Sequence, residues 1–376
     1  MISLLVMFLF TGLIVPALAD TIEPPLKQYD SKTDPHNIKC KLNLKLIFKD
    51  KIWSPTCVKP SSVEKLIERG WAAKHDPHHM DIMMPMDKER VFLTLQGDDQ
   101  VASLSMEKWI AGPKMTYLST NNDGSLILAT SSGSDMVFAF DTSQDKPLSE
   151  IKVGNTPKGI KFHSDGKIAF VANEGSGTLG VIDVDSWNVT NEIEVGQMPH
   201  NIRFDSTGKT AYVTLQGEDK IAIIDVTSLQ MIDSISVGNL PHNLDLSPDG
   251  RYLYTTNIGT NDVTVIDLQT KEIVKRIPVS AGHHGIDVSA DGKLVYVSGI
   301  GSDLVNVIDS DSLELIKVIS VGDGPHGIRA SVDGNKLYVG ITKTNEIVII
   351  DTKNLVITQN IRIGNIPFWI AIPGNP

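Results

Sequence analysis

The feature that most constrains how this chain can fold is a repeat with a period of 42 residues. Three columns keep this period in phase: a glycine, a proline and an aspartate. Their members are Gly154, Gly196, Gly238, Gly322 and Gly364 with Ser280 in the remaining slot; Pro157, Pro199, Pro241, Pro325 and Pro367 with His283 as the exception; and Asp141, Asp183, Asp225, Asp267, Asp309 and Asp351. Because chance does not place three columns in phase, the sequence predicts repeated structural units that stack on their neighbours.

Each unit contains four short runs of β-forming residues. In the unit that begins at His242 these runs cover residues 244–246, 252–256, 263–267 and 273–279. Turn-forming residues bound each run, and Ser247-Pro248-Asp249-Gly250 is a clear hairpin connector. Four strands in a repeat of about 40 residues are typical of one blade of a β-propeller.

The number of blades follows from counting strands. Six units begin at Thr116, Lys158, His200, His242, His284 and His326. Residues 90–112 supply three strands of a partial unit, and residues 368–372 supply one. We therefore predict an all-β, seven-bladed propeller of four-stranded blades over residues 78–376, in which the C-terminal strand completes the N-terminal blade. In the alternative, residues 79–84 supply the missing strand and residue 368 onward packs outside.

The first 19 residues have the composition of a signal peptide. They carry no charge, are largely apolar and end in Ala17-Leu18-Ala19 before Asp20, which is typical of a cleavage site. No Lys or Arg precedes the apolar run, and a stretch of this length can also remain as a membrane anchor. We expect a secreted or cell-surface protein that contacts a membrane only if this segment stays uncleaved.

Residues 20–77 are predicted to form a small module that contains both cysteines of the chain. In an exported protein, Cys40 and Cys57 most simply form a disulfide, which would stabilise the module by about 3 kcal/mol. A metal site with two Cys ligands is the alternative. The "C-V-K-P-S" and "L-I-E-R-G-W" motifs resemble a segment of exported proteins from ammonia-oxidising archaea, which implies origin and export but no chemistry.

A column of histidines follows the repeated proline. It holds His200, His242, His284 and His326, together with Thr116, Lys158 and Phe368, while His78 and His79 align with His283 and His284. Since this position opens the innermost strand of each blade, its side chains are expected to meet at the mouth of the central channel. Converging neutral imidazoles suit copper, zinc, nickel or iron. Alternatively, duplication has copied a histidine that only packs or forms hydrogen bonds.

Two resemblances bear on this pattern. Units such as "V-G-N-L-P-H-N-L-D-L-S-P-D-G" resemble the YVTN-type propeller repeats of exported surface proteins. The segments "D-P-H-H-M" and "P-H-G" are similar to histidine motifs in the propeller of nitrous oxide reductase, which holds copper. This similarity implies a copper site formed by His78, His79 and His326, with His200, His242 and His284 added by their place in the column. His283, one residue before the column, is a further candidate ligand. The sequence shows no C-terminal cupredoxin domain and no propeller cysteine for an electron-entry copper site, which speaks against nitrous oxide reduction by this chain alone. Copper storage, electron relay through a partner and a different copper reaction stay open.

Composition and missing motifs exclude several other functions. With 45 acidic residues against 34 Lys and Arg, the net charge of −11 disfavours nucleic acid. The chain has no motif for covalent haem, a nucleophile elbow, a Walker loop or a zinc protease. Asp245 and Asp287 are candidate acidic metal ligands of the kind that lactonase-like propellers use in their channel. Strict strand alternation, however, would turn their side chains away from the histidines. Asn188 begins the one glycosylation sequon, predicted to lie between the outer strands of a blade.

We therefore predict an exported propeller that binds a transition metal, most simply copper, through its histidine column. The rival prediction is a cell-surface scaffold that binds protein or glycan and whose histidines are structural. The sequence shows no complete catalytic set for an enzyme.

Overall fold

The computed structural model describes residues 45–48, 55–62, 65–66 and 89–375. The chain divides into two compact units, Met1–Asp81 and Ile82–Pro376. In the first unit, β1 (Lys45–Phe48) pairs antiparallel with β2 (Pro55–Val58). Cys57 lies in β2, whereas Cys40, the signal-like segment, His78 and His79 lie outside the described residues. The disulfide, the cleavage site and the first histidine pair thus remain predictions. No helix in the described ranges is long and apolar enough to cross a membrane.

The second unit consists of seven antiparallel sheets of four strands. The innermost strands are β6 (Met115–Thr120), β10 (Pro157–Phe162), β14 (Pro199–Phe204), β18 (Pro241–Leu246), β22 (His283–Val288), β26 (Pro325–Ala330) and β30 (Pro367–Ala371). The second strands are β3 (Phe92–Leu95), β7 (Leu126–Ser131), β11 (Ile168–Asn173), β15 (Thr210–Leu215), β19 (Tyr252–Asn257), β23 (Leu294–Gly299) and β27 (Lys336–Ile341).

The third and outermost strands complete each blade. The third strands are β4 (Gln100–Ser103), β8 (Met136–Asp141), β12 (Thr178–Asp183), β16 (Lys220–Asp225), β20 (Asp262–Asp267), β24 (Leu304–Asp309) and β28 (Glu346–Asp351). The outermost strands are β5 (Lys108–Ile110), β9 (Pro147–Lys152), β13 (Asn188–Glu194), β17 (Gln230–Ser236), β21 (Glu272–Pro278), β25 (Glu314–Ser320) and β29 (Val356–Arg362).

The predicted seven-bladed fold is confirmed, including its closure. Blade 1 contains β30, β3, β4 and β5 in that order, and the blades are numbered from it along the chain. Strand β30 pairs with β3 through Phe92 opposite Ala371 and Leu93 opposite Ile370. The C-terminal strand therefore supplies the fourth strand of blade 1, as predicted.

Burial along the strands explains why the blades pack against one another. The second and third strands are buried on both faces because each blade is covered by its two neighbours, as the unbroken burial of β20 illustrates. In the outermost strands most side chains are exposed, and in β21 only Ile277 is fully buried. The apolar core therefore lies between adjacent blades, and polar turns cover the rim.

A β-bulge near the start of the innermost strands corrects one expectation. In blade 4, Pro199 pairs with Leu215 but Ile202 pairs with Val213, so the inner strand carries one extra residue. Blades 2, 3, 5, 6 and 7 show the same shift. Because an extra residue resets strand alternation, a side chain three positions after the histidine column returns to the same side. The prediction that Asp245 and Asp287 face away from the channel is therefore wrong.

Candidate functional site

Histidines from three blades meet at one end of the central channel. His200, His242 and His326 are each the second residue of an innermost strand and are 5%, 6% and 2% exposed. The ring centroids of His200 and His242 lie 4.1 Å apart, and those of His242 and His326 lie 6.4 Å apart. Since blades 5 and 7 are not neighbours, the second contact places these rings inside the channel.

Hydrogen bonds engage both nitrogens of His200. Its Nδ1 lies 3.0 Å from the Glu174 carboxylate, and its Nε2 lies 2.8 Å from the Tyr117 hydroxyl. Burial lowers the pKa of His200, although Glu174 opposes that shift, so the ring is neutral at pH 7. In the neutral ring Nδ1 donates to Glu174 and Nε2 accepts from Tyr117. Lys158 lies 3.7 Å from the same carboxylate.

The other two histidines are held through Nδ1. In His326, Nδ1 donates to the carbonyl oxygen of Phe368 over 2.7 Å, and the two rings lie 3.7 Å apart. In His242, Nδ1 accepts from the side-chain amide of Asn243 over 2.8 Å. Within the described part of the chain, no three His, Cys, Asp or Glu side chains are arranged to hold a metal ion.

The remaining predicted residues are only partly placed. His283 and His284 open β22, at the strand position that the column predicts, but their side chains lie outside what the structure describes. Asn188 is the first residue of β13 and is exposed, so the sequon lies on an outermost strand rather than on a connection. Its side-chain amide donates to the carbonyl of Ser186 over 2.9 Å.

The opposite end of the channel opens into a cavity of about 490 Å³. The last residues of the innermost strands form its apolar wall, and these are Phe162, Phe204, Leu246 and Val288. Asn375 lies at the same end, where its side-chain amide donates to the carbonyl of Ala330 over 2.7 Å. The cavity therefore has an apolar wall, and its polar residues approach from several blades.

Five charged residues occupy the channel floor beneath this cavity. They share the fifth position of consecutive innermost strands, three residues after the histidine column: Lys161, Arg203, Asp245, Asp287 and Arg329. We call them the charge ring. The guanidinium of Arg329 lies 4.0 Å from the carboxylate of Asp245, two blades away, which places the ring in the channel.

Four members of the charge ring are paired across blades. Arg203 Nε donates to Asp245 Oδ1 over 2.9 Å, and Arg329 forms an ion pair with Asp287. The second oxygen of each aspartate accepts a backbone amide of the next blade, from Val288 for Asp245 and Ala330 for Asp287. Both carboxylates therefore already have hydrogen-bond and ionic partners within the protein, which makes them poor candidates for metal ligands.

Two donors of the charge ring remain without a partner among the described residues. The Nη2 atom of Arg203 is buried and makes no hydrogen bond. Lys161 is partly buried, lines the cavity, and its amine forms no hydrogen bond or ion pair with the described chain. Unsatisfied buried donors are uncommon in folded proteins and call for a ligand or water.

The surroundings of the Lys161 amine favour its neutral form. Burial lowers its pKa well below the usual value, the guanidinium groups of Arg203 and Arg329 lower it further, and Asp245 and Asp287 oppose the shift. With Lys161 neutral, two guanidinium groups balance two carboxylates. With Lys161 protonated, the ring has one excess positive charge.

Comparisons with known proteins support the same fold. The family model described as "Lactonase, 7-bladed beta-propeller" matches residues 94–274, and the "YNCE-like beta-propeller" model matches residues 244–336. The chain is a β-propeller repeat protein. No curated protein sequence matches this propeller.

Solved structures with similar folds come from distant relatives. Hydrazine synthase of Kuenenia stuttgartiensis superposes on the propeller with a TM-score of 0.61 and 21% identity, covering 69% of this chain and 90% of that one. A functionally unknown protein from Desulfotomaculum acetoxidans has a TM-score of 0.65 and 15% identity, covering 76% of this chain and 99% of that one. At these identities the likeness concerns the fold alone.

Proposed function

We propose that this propeller binds a small organic anion in the cavity at the charge-ring end of its channel. The observation that carries the proposal is the buried Nη2 of Arg203, which has no partner within the described residues, beside the unpaired amine of Lys161. An anion would accept hydrogen bonds from both groups. Hydrogen bonds to charged groups contribute about 1.5 to 3 kcal/mol each, more than neutral ones.

The cavity also indicates the size and polarity of the ligand. A volume of about 490 Å³ is within the usual range for small-molecule sites. Phe162, Phe204 and Leu246 offer an apolar wall beside the charge ring. A carboxylate attached to an aromatic or aliphatic body therefore suits both surfaces better than an inorganic anion does.

Calorimetric titration with three matched probes tests this proposal. We expect benzoate to bind, inorganic phosphate to bind more weakly, and benzyl alcohol to show no measurable binding. Lys161→Met should weaken benzoate binding at least about tenfold, since it removes one hydrogen-bond donor without leaving a partner unpaired. Arg203→Lys should also weaken it while keeping a cation near Asp245.

The control is Lys317→Met, which removes a lysine from the exposed outermost strand β25. It should leave benzoate affinity unchanged. Equal affinity for benzoate and benzyl alcohol, or full affinity in Lys161→Met, would overturn the proposal.

A transition metal, copper first, at the histidine end is a second candidate. The observation that favours it is the way Nδ1 of His200 and of His326 is held by Glu174 and by the Phe368 carbonyl. Such bonds orient metal-ligating imidazoles through Nε2. The Tyr117 hydroxyl donates a hydrogen bond to Nε2 of His200, so this nitrogen becomes available to a metal only if Tyr117 moves. A complete ligand set would also need His283 or His284, or His78 and His79 as the similarity to nitrous oxide reductase implies.

Metal content after copper loading tests this second candidate. We expect near-stoichiometric copper in the wild-type protein, loss of it in His242→Gln/His326→Gln, and retention in His163→Gln. The control residue His163 donates a hydrogen bond from Nε2 to the Gly208 carbonyl, away from the channel histidines. No copper in the wild type, or unchanged copper in the double variant, would leave the histidines with the structural role of the rival prediction.

We further propose that the protein acts outside the cytoplasm, secreted or at the cell surface. The apolar residues 1–19 and the Ala17-Leu18-Ala19 site support this proposal. A redox protein, another surface protein or a glycan is the kind of partner this location offers. N-terminal sequencing of the exported protein should begin at Asp20; an intact Met1 in a membrane fraction would instead support the uncleaved anchor.

A further inference from the structure

The Lys161 amine differs from the other cations of the charge ring in having no counter-ion. Arg203 and Arg329 are each committed to an aspartate, whereas the Lys161 side chain bonds to no other described residue. Its pKa lies well below the usual range because it is buried beside two guanidinium groups. A neutral amine has a free electron pair and is a nucleophile.

The surroundings of Lys161 favour one kind of electrophile. The amine lines both the large cavity and the narrow channel segment below it, where Arg203 and Arg329 also lie. A carboxylate held at the free Nη2 of Arg203 would place the adjoining carbon of the ligand near this amine. A carbonyl group next to a carboxylate, as in a 2-oxo acid, would therefore meet the nucleophile.

We propose that Lys161 forms a reversible imine with the carbonyl carbon of a 2-oxo acid bound in the cavity. This inference rests on the proposed anion binding and adds a covalent step to it.

The step needs no further reactant. The Nζ electron pair forms a bond to the carbonyl carbon, and the carbonyl oxygen receives a proton from the nitrogen, which gives a carbinolamine. The hydroxyl group then leaves with the second nitrogen proton as water, and the C=N bond forms. One amine and one carbonyl thus yield one imine and one water, with no oxidation or reduction until a reductant is added.

Reductive trapping of the full chain tests this inference. The protein is incubated with pyruvate and sodium cyanoborohydride near pH 7, and the modified lysine is located by peptide mass spectrometry. We expect a carboxyethyl group on Lys161 at least about tenfold faster than on Lys317 or any other surface lysine. Acetone, which has the carbonyl without the carboxylate, should label Lys161 at least about tenfold more slowly than pyruvate, since it lacks the charged contact.

Three further measurements separate covalent chemistry from simple binding. The labelling rate at Lys161 should level off at a lower pH than the rate at surface lysines, which should rise up to about pH 10. Excess benzoate should suppress labelling at Lys161 and leave Lys317 unaffected. Lys161→Arg should keep a cation in the cavity but accept no label.

The outcomes distinguish this inference from the proposed function. Binding of benzoate without preferred labelling of Lys161 would overturn the imine and leave anion binding in place. Preferred labelling that benzoate does not suppress would place the reaction outside the anion site and overturn both. Absence of both benzoate binding and labelling would also overturn both.

Discussion

Single side chains on the channel floor determine what this propeller can bind. Arg203 and Arg329 neutralise Asp245 and Asp287, so four of the five side chains of the charge ring have an ionic partner within the ring. Lys161 is left over, and keeping an unpaired amine in a buried site costs stability. Groups that destabilise a fold but face a cavity are typical of functional sites.

Lys161→Met is therefore expected to stabilise the protein, by about 0.5 to 2 kcal/mol, while it weakens ligand binding. Thermal unfolding without ligand should show a melting temperature higher by a few degrees. Lys317→Met, on the exposed strand β25, provides the control and should not shift it. A lower melting temperature for Lys161→Met would show that the amine contributes to the fold.

The same pair of proteins should respond to pH in a defined direction. The folded state holds Lys161 with a lowered pKa, whereas the unfolded chain keeps the proton up to about pH 10.4. Between these two pKa values the unfolded state binds more protons than the folded state. The free energy of unfolding of the wild-type protein therefore rises with pH in this range. The advantage of Lys161→Met should shrink as pH increases from 7 to about 10. A constant difference between the two proteins would contradict the lowered pKa.

At the scale of the strands, a hydroxyl group connects the bulges of blades 4 and 6 to the neighbouring blade. The Oγ1 of Thr214 accepts the backbone amide of Asn201 over 2.9 Å and donates to the carbonyl of His242 in the next blade over 3.0 Å. Ser298 forms the equivalent bonds with Gly285 and His326. The bulge would otherwise leave buried backbone groups unpaired, so this hydroxyl fixes the geometry that turns both channel columns inward.

Thr214→Val should destabilise the protein by about 2 to 3 kcal/mol, because two buried backbone groups lose their partner while the shape of the side chain is kept. Urea unfolding measures this change. Thr190→Val is the matched control, since Thr190 donates only to the Val181 carbonyl on an outer strand, over 3.3 Å. Equal losses for the two variants would argue against a special role for the hydroxyl at the bulge.

The aspartates of the turns between inner and second strands contribute a pH-dependent term. Asp333 accepts hydrogen bonds from Ser331, from the Asn335 backbone and from the Asn335 side chain, and these lower its pKa to about 2. The ionised Asp333 carboxylate therefore contributes its full stabilisation of the fold above about pH 4, and this contribution is lost as the pH falls through 2. Asp333→Ala should cost up to about 1 kcal/mol at pH 7, and the difference should vanish near pH 2. Asp333→Asn, which keeps the size of the side chain but cannot ionise, should lose the same pH dependence in the same unfolding series.

For the whole molecule, the repeat period predicted the architecture almost completely, because period, turn residues and strand count all depend on local chemistry. The prediction that the C-terminal strand closes blade 1 is confirmed by the pairing of Phe92 with Ala371. The charge ring was missed although Lys161, Arg203 and Arg329 share one column with Asp245 and Asp287. Strict strand alternation predicts that this column faces away from the channel. The bulge that turns the column back towards the channel depends on contacts between strands and blades, which the sequence pattern does not show.

Strand β30 should be indispensable for a closed ring. A chain that ends at Gly364 lacks it, so β3 keeps an open edge and Trp369 no longer packs 4.5 Å from Tyr117. We expect this chain to lose its cooperative thermal transition and to associate through the open edge. A synthetic peptide of residues 365–376 should restore the transition, whereas a scrambled peptide should not. A truncated chain that melts like the full chain would show that closure is dispensable.

The position of β30 also sets an order of events for a chain made from its N-terminus. Three strands of blade 1 are complete by residue 110, yet their partner spans Pro367–Ala371, so six other blades emerge before the ring can join. A chain interrupted anywhere before that strand exposes an unpaired edge that proteases and chaperones recognise. Blade 1, and with it the ring, therefore cannot be completed until residues 367–371 have been synthesised.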